Sequence, residues 1–143
     1  MRGADFQLSG DAASFELRID FDRVRPTEDG LQWLICHCAC EVDAFRAEFP
    51  LGLTRQDLEQ FHAQLSMLRS GVKEEIELEN LEMDFRLGAS VRSTGAVSVV
   101  GKLTPGYTRS RATLDFAFDS DLASIDTATH RIAAAVAALR KLP

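Results

Sequence analysis

Hydrophobic and polar residues alternate along the first third of the chain with the two-residue period of β-strands. The first alternating apolar set is Phe15, Leu17, Ile19 and Phe21. After a turn at residues 26–30, residues 31–40 are apolar on both faces, which is typical of a central strand covered above and below. Alternation resumes from Phe45 to Leu51. The pattern predicts three strands before residue 53.

Two amphipathic helices are predicted from apolar residues spaced three and four apart. The first covers about residues 54–70, where Thr54 and Asp57 form a capping-box pattern and Gly71 provides the stop. Its apolar stripe is Leu58, Phe61, Leu65 and Leu68. The second covers about residues 120–141 and has acidic N-cap candidates at its start. Its stripe is Leu122, Ile125, Thr129, Ile132, Val136 and Leu139.

Between the helices the alternation reverses phase near residue 80. A tight hairpin at Glu79-Asn80 and a bulge within one long strand would both explain the reversal. Glu-Asn is poor chemistry for a tight turn, so we favour the bulge. Two further strands are expected near residues 97–103 and 114–118, with a turn at 104–107 between them. The order of elements predicts one α+β domain over residues 1–143, a mostly antiparallel sheet covered by two helices, without an internal repeat.

Composition narrows the possible partners and location. The net charge of −6 argues against nucleic acid and anionic membranes as partners. The chain has no apolar run long enough to span a bilayer, and its first residues lack the apolar core of a signal peptide. Three cysteines, an odd number, do not form a disulfide framework and suit a reducing compartment. We therefore expect a cytoplasmic protein.

The segment Cys36-His37-Cys38-Ala39-Cys40 suggests a metal site, but strand geometry argues against one. Alternate thiols on a strand are about 6.6 Å apart, too far for one zinc ion with bonds of about 2.3 Å to gather all three. We therefore predict buried core cysteines, with no metal and no cofactor. Gly101-Lys102-Leu103-Thr104 lacks the spacing and the strand-to-helix context of a phosphate-binding loop.

No catalytic residue is predicted, so the protein is not expected to be an enzyme. A nucleophilic cysteine requires a base, and nothing in the sequence brings His62 or His130 near one. The paired carboxylates of the chain alternate on exposed strand faces, as ordinary solvated acids do.

An acidic stretch at residues 72–84 is the surface feature that distinguishes this chain. It contains six acids against the single cation Lys73. It could be a solvated strand face or a charged sheet edge that resists aggregation. It could also be a docking surface for a basic protein. The predicted partner-binding residues are Glu75, Glu77, Glu79, Glu82 and Asp84.

Several hydrophobic patterns together resemble one bacterial family. They are Trp33-Leu34, Leu58-x-x-Phe61-x-x-x-Leu65, Ile76-Glu77-Leu78-Glu79-x-Leu81, Val97-x-Val99-x-Gly101 and Leu114-x-Phe116-x-Phe118. Across residues 29–139 this order resembles the WapI-type immunity proteins. The resemblance implies a non-enzymatic cytoplasmic protein that neutralises a cognate toxin by direct binding. It brings no contact residues, since such proteins diverge at the toxin-binding surface.

A second hypothesis is a small-molecule or peptide-binding module without a toxin partner. It predicts an apolar pocket with a few convergent polar groups near Trp33 or Tyr107. The oligomeric state and the identity of a toxin stay open at this point.

Overall fold

The chain repeats one arrangement twice: four antiparallel strands followed by a helix. The computed structural model describes residues 3–26, 30–106 and 112–142. The first copy consists of β1 (Gly3–Gly10), β2 (Ala13–Pro26), β3 (Gln32–Val42), β4 (Phe45–Thr54) and α1 (Arg55–Ser70). The second consists of β5 (Glu75–Glu79), β6 (Phe85–Val91), β7 (Ala96–Leu103), β8 (Leu114–Asp121) and α2 (Leu122–Arg140). The predicted α+β class is confirmed, but the strands form two four-stranded sheets, β1-β2-β3-β4 and β5-β6-β7-β8.

Both sheets contribute their inner faces to one hydrophobic core. Phe15 on β2 lies 5.6 Å from Phe85 on β6, measured between ring centroids, and Phe85 lies 5.7 Å from Phe61 on α1. These contacts join the two sheets and the first helix. The helices pack against each other, and α2 also covers β1.

The predicted helix ends are confirmed. The backbone N–H of Asp57 donates to Thr54 Oγ1 at 3.1 Å, and the N–H of Thr54 donates back to Asp57 Oδ2 at 2.9 Å. Gly71 follows with φ of 81°, the left-handed conformation that ends many helices. In α2, the side chain of Asp121 accepts a hydrogen bond from the N–H of Ser124 at 2.8 Å. Within the described ranges no helix is long and apolar enough to cross a membrane.

The bulge that we favoured near residue 80 is wrong, because β5 and β6 form an antiparallel hairpin. The connection is longer than a two-residue turn and covers residues 80–84. The side chain of Asn80 organises it: Oδ1 accepts from the N–H of Asp84 at 2.8 Å and of Phe85 at 3.3 Å. Leu81 and Met83 therefore belong to a loop and not to a buried strand face.

Strand β3 is central in its sheet, as predicted, but only one of its faces is fully covered. Cys36, Cys38 and Cys40 are buried, whereas the opposite face, which includes Trp33 and Ile35, is half-buried. The predicted second covering layer is thus wrong. The turn at residues 26–30 lies mostly outside the described residues, but Gly30 has the expected positive φ, 81°.

Candidate protein-binding surface

The predicted acidic residues lie mainly on one edge of the second sheet. Strand β5 is an edge strand whose side chains alternate between buried and exposed. We define the β5 surface as the exposed residues of β5 and of the loop that follows. They are Glu75, Glu77, Glu79, Leu81, Glu82 and Met83.

Asp84 lies apart from this surface because it is only 3% exposed. Its Oδ2 accepts from Asn80 Nδ2 at 3.2 Å, and its Oδ1 accepts from the N–H of Gly106 at 3.1 Å. Asn80 Nδ2 also donates to the carbonyl of Gly52 on β4 at 3.1 Å, which ties the loop to the first sheet. Asp84 thus holds the loop in place, and four of the five predicted contact residues remain exposed.

Part of the negative charge of the β5 surface is balanced by one cation from the neighbouring strand. Arg86 on β6 forms an ion pair with Glu77, and its Nε lies 3.8 Å from Glu79 Oε2. These side chains are about half exposed, so solvent screens the pairs and each contributes little to stability. An incoming cation can therefore compete with Arg86 at small energetic cost.

Two large apolar side chains project from the same surface. Leu81 is 61% exposed and Met83 is 55% exposed. Met83 also has φ of 61°, a left-handed conformation that is unfavourable for a residue with a long side chain. Exposed apolar side chains surrounded by charged ones are typical of protein-interaction sites.

An open groove of about 410 Å³ runs between α1 and β5 beside these residues. From α1 it is lined by Asp57, Gln60, Phe61 and Gln64, and from β5 by Glu77, Leu78 and Glu79. Asn80, Leu81 and Met83 of the loop after β5 also line it. The lining mixes three carboxylates with four apolar side chains, and the groove is open, unlike the enclosed pockets typical of small-molecule sites.

The cysteines have the properties of core residues. Burial raises the pKa of Cys36 to about 12 and that of Cys40 to about 11, and it raises the pKa of Cys38 as well. The raised pKa values keep the three thiols protonated, which disfavours the thiolate that nucleophilic attack requires. The parts of the chain that the structure describes contain no cluster of three or more His, Cys, Asp or Glu side chains able to hold a metal ion.

Gly101, part of the rejected phosphate-loop pattern, has a packing role. It lies within β7, and a Cβ placed on it would be 2.2 Å from the ring of Phe116. Of the two residues predicted near a ligand pocket, Trp33 lies on the outer face of β3 against Gly52. Tyr107 lies outside the described residues.

The chain folds as a small α+β domain with an exposed, acidic sheet edge. A family model described as the immunity protein WapI-like family matches residues 6–140. The chain belongs to this family. Membership assigns it, in general terms, a toxin-neutralising role exerted by binding. No match was found among curated proteins.

Two solved structures are similar to this chain. One is described as a guideRNA-binding protein complex bound to a gRNA, with a TM-score of 0.51, 11% identity, and coverage of 98% of this chain and 92% of the other. The other contains MRP1/MRP2 of "trypanosoma bruciei", with a TM-score of 0.49, 13% identity, and coverage of 97% and 86%. At such low identity the first indicates similarity of fold alone.

Proposed function

We propose that this protein neutralises a cognate toxin domain in the cytoplasm by direct binding through the β5 surface, without catalysis and without a cofactor. The observation that carries the proposal is the coincidence of exposed Leu81 and Met83 with the glutamates of one sheet edge. Exposed apolar side chains supply affinity when they are desolvated, while the surrounding charges steer association. The partner surface that fits this arrangement is basic with an apolar centre.

A protein partner fits this surface better than a nucleic acid. The gRNA-bound complex shares the fold, but the net charge of this chain is −6, and the β5 surface would repel phosphates. Neutral, unpaired thiols suit a reducing compartment. A cytoplasmic protein partner is consistent with both features.

The experiment is affinity capture of the protein from its native host, followed by mass spectrometry and a toxicity assay. We expect one stoichiometric partner: a toxin domain whose toxicity in cells is suppressed by this protein. Recovery of the protein alone and monodisperse, or a partner whose activity it does not block, would contradict the proposal.

Charge reversal then tests the location of the surface. We expect Glu75→Lys with Glu79→Lys to slow toxin association at least about tenfold at low salt, and much less at high salt, because electrostatic steering is screened. Asp22→Lys with Asp115→Lys is the matched control, since both residues are exposed on strands away from β5. Equal effects of the two double variants would refute the assignment of the β5 surface.

A further inference from the structure

Backbone groups along the free edge of β5 point away from the sheet, and two of the residues that carry them, Glu77 and Glu79, also line the groove. The N–H of Val91 donates to the carbonyl of Glu74 at 2.9 Å, which makes these two residues a hydrogen-bonded pair. Because such pairs alternate along an antiparallel ladder, Ile76 and Leu78 direct their backbone groups to β6. The residues between them direct their N–H and C=O groups away from β6. These residues are Glu75, Glu77 and Glu79.

The next ladder agrees with this assignment. The N–H of Arg92 donates to the carbonyl of Ala96 at 2.8 Å, so the residues of β6 that bond β7 are those at positions 86, 88 and 90. Positions 87 and 89 are left to bond β5, as the first ladder requires.

The groove lies where an added strand would bind. It is lined by Glu77 and Glu79, whose side chains are on the outer face of the sheet, and also by α1, which packs next to β5. The groove contacts both the outer-face glutamates of β5 and the residues of α1, so it must extend across the free edge of β5. A strand needs about 4.8 Å of lateral space beside its neighbour, and the groove of about 410 Å³ leaves the edge open to a short segment.

We propose that the partner inserts an extended basic segment into this groove, where it pairs with β5 as an additional antiparallel or parallel strand. Backbone bonds to Glu75, Glu77 and Glu79 would supply affinity, as in other cases of β-strand addition. Side chains of the segment alternate between the two faces. Lysine or arginine on the outer face would meet Glu77 and Glu79, and an apolar residue on the other face would meet α1, where Phe61 lines the groove.

Charge complementarity favours this occupant over a second copy of the chain. The β5 edge of another copy carries the same glutamates, and pairing two such edges would place like charges side by side. The proposal rests on the proposed function, because it specifies how the toxin would engage the β5 surface.

The test is amide hydrogen exchange of the full chain, followed by NMR, with the synthetic peptide Lys-Val-Arg-Val-Lys as the probe. In the free protein, the amides of Glu75, Glu77 and Glu79 should exchange fast and those of Ile76 and Leu78 slowly. Saturating peptide should slow exchange at the three glutamates at least about tenfold, because they gain strand hydrogen bonds. The amides of Ile76 and Leu78 are the internal control.

Two matched peptides separate backbone pairing from charge attraction. The same sequence with N-methylated alternate amides keeps its charge but cannot donate along the edge, and we expect it to bind at least about tenfold more weakly. Glu-Val-Glu-Val-Glu should not bind. Absence of binding by the basic peptide, binding without the alternating protection, or equal affinity of the N-methylated peptide would each overturn strand addition.

The result of the peptide experiment is independent of the result of toxin capture. Failure of the peptide alongside a captured toxin would refute edge pairing alone, and peptide binding without a toxin partner would refute the immunity function alone.

Discussion

Replacing Gly101 with alanine should destabilise the protein because of one specific contact. The added Cβ would lie 2.2 Å from Phe116 Cζ and 2.8 Å from Leu87 Cδ2. Carbon atoms in contact prefer about 3.5–4.0 Å, so the ring would have to retreat by more than about 1 Å. It cannot do so freely, since Phe116 stacks on Phe118 at 6.2 Å and on Phe15 at 6.4 Å between ring centroids.

The expected loss follows from two opposing terms. Overpacking of a filled core costs about 1–3 kcal/mol. Alanine loses less conformational entropy than glycine on folding, which offsets roughly 0.5–1 kcal/mol. The middle values of the two terms predict that the free energy of unfolding of Gly101→Ala falls by about 1.3 kcal/mol, and the extremes bound the loss at about 2.5 kcal/mol. Chemical denaturation followed by circular dichroism would measure it, with an unchanged denaturant slope.

A matched substitution and a double-mutant cycle test whether the contact with Phe116 causes the loss of stability. Gly88→Ala lies on the adjacent strand, where the added Cβ would be 3.7 Å from the nearest atom, the carbonyl oxygen of Val100, so its stability should be unchanged or slightly higher. In a Phe116→Leu background the penalty of Gly101→Ala should shrink by at least about 1 kcal/mol. An equal effect at both glycines, or an undiminished penalty in that background, would refute the reasoning.

Two further predictions concern the core and the loop. Because the unfolded thiols have a pKa near 9.0 and those of folded Cys36 and Cys40 are raised to about 12 and 11, the unfolded state loses protons first. The free energy of unfolding should therefore fall between pH 9 and 11, by up to about 1.4 kcal/mol per pH unit for each thiol. Denaturant midpoints measured across this range should fall less in Cys36→Val than in the unchanged protein, and an equal fall in both would contradict the prediction. Asn80→Ala removes bonds to Gly52 and Asp84 and should lower Tm by about 4–8 °C in calorimetry, whereas Gln56→Ala, exposed on α1, should leave it unchanged.

Local signals were sufficient to predict the helices and most strands. The bonds between Thr54 and Asp57 and the positive φ of Gly71 involve residues close in sequence, so the pattern alone defined α1. Strand β1 was missed, although Phe6 and Leu8 alternate with polar residues. That run is short, and its strand identity depends on pairing with β2.

Features that depend on tertiary contacts could not be predicted. The hairpin after β5 depends on the Asn80 side chain, which bonds backbone groups on both sheets. The burial of Asp84 depends on Gly106, distant in sequence, so an acidic residue that looked like a surface contact proved structural. The two halves of the chain share the order of four strands and a helix, but their amino-acid sequences do not repeat, so the sequence did not predict this internal repeat of structure.

The meeting of β1 with β8 and α2 has a consequence for how the chain acquires its structure. Ser120 Oγ donates to the carbonyl of Ser9 at 2.5 Å, and the N–H of Ser9 donates to Ser124 Oγ at 3.2 Å, across 111 and 115 residues of sequence. Contacts of such long range form late and slow folding, since a large loop must close first. During synthesis, β1 therefore stays without its contacts to β8 and α2 until α2 has been made.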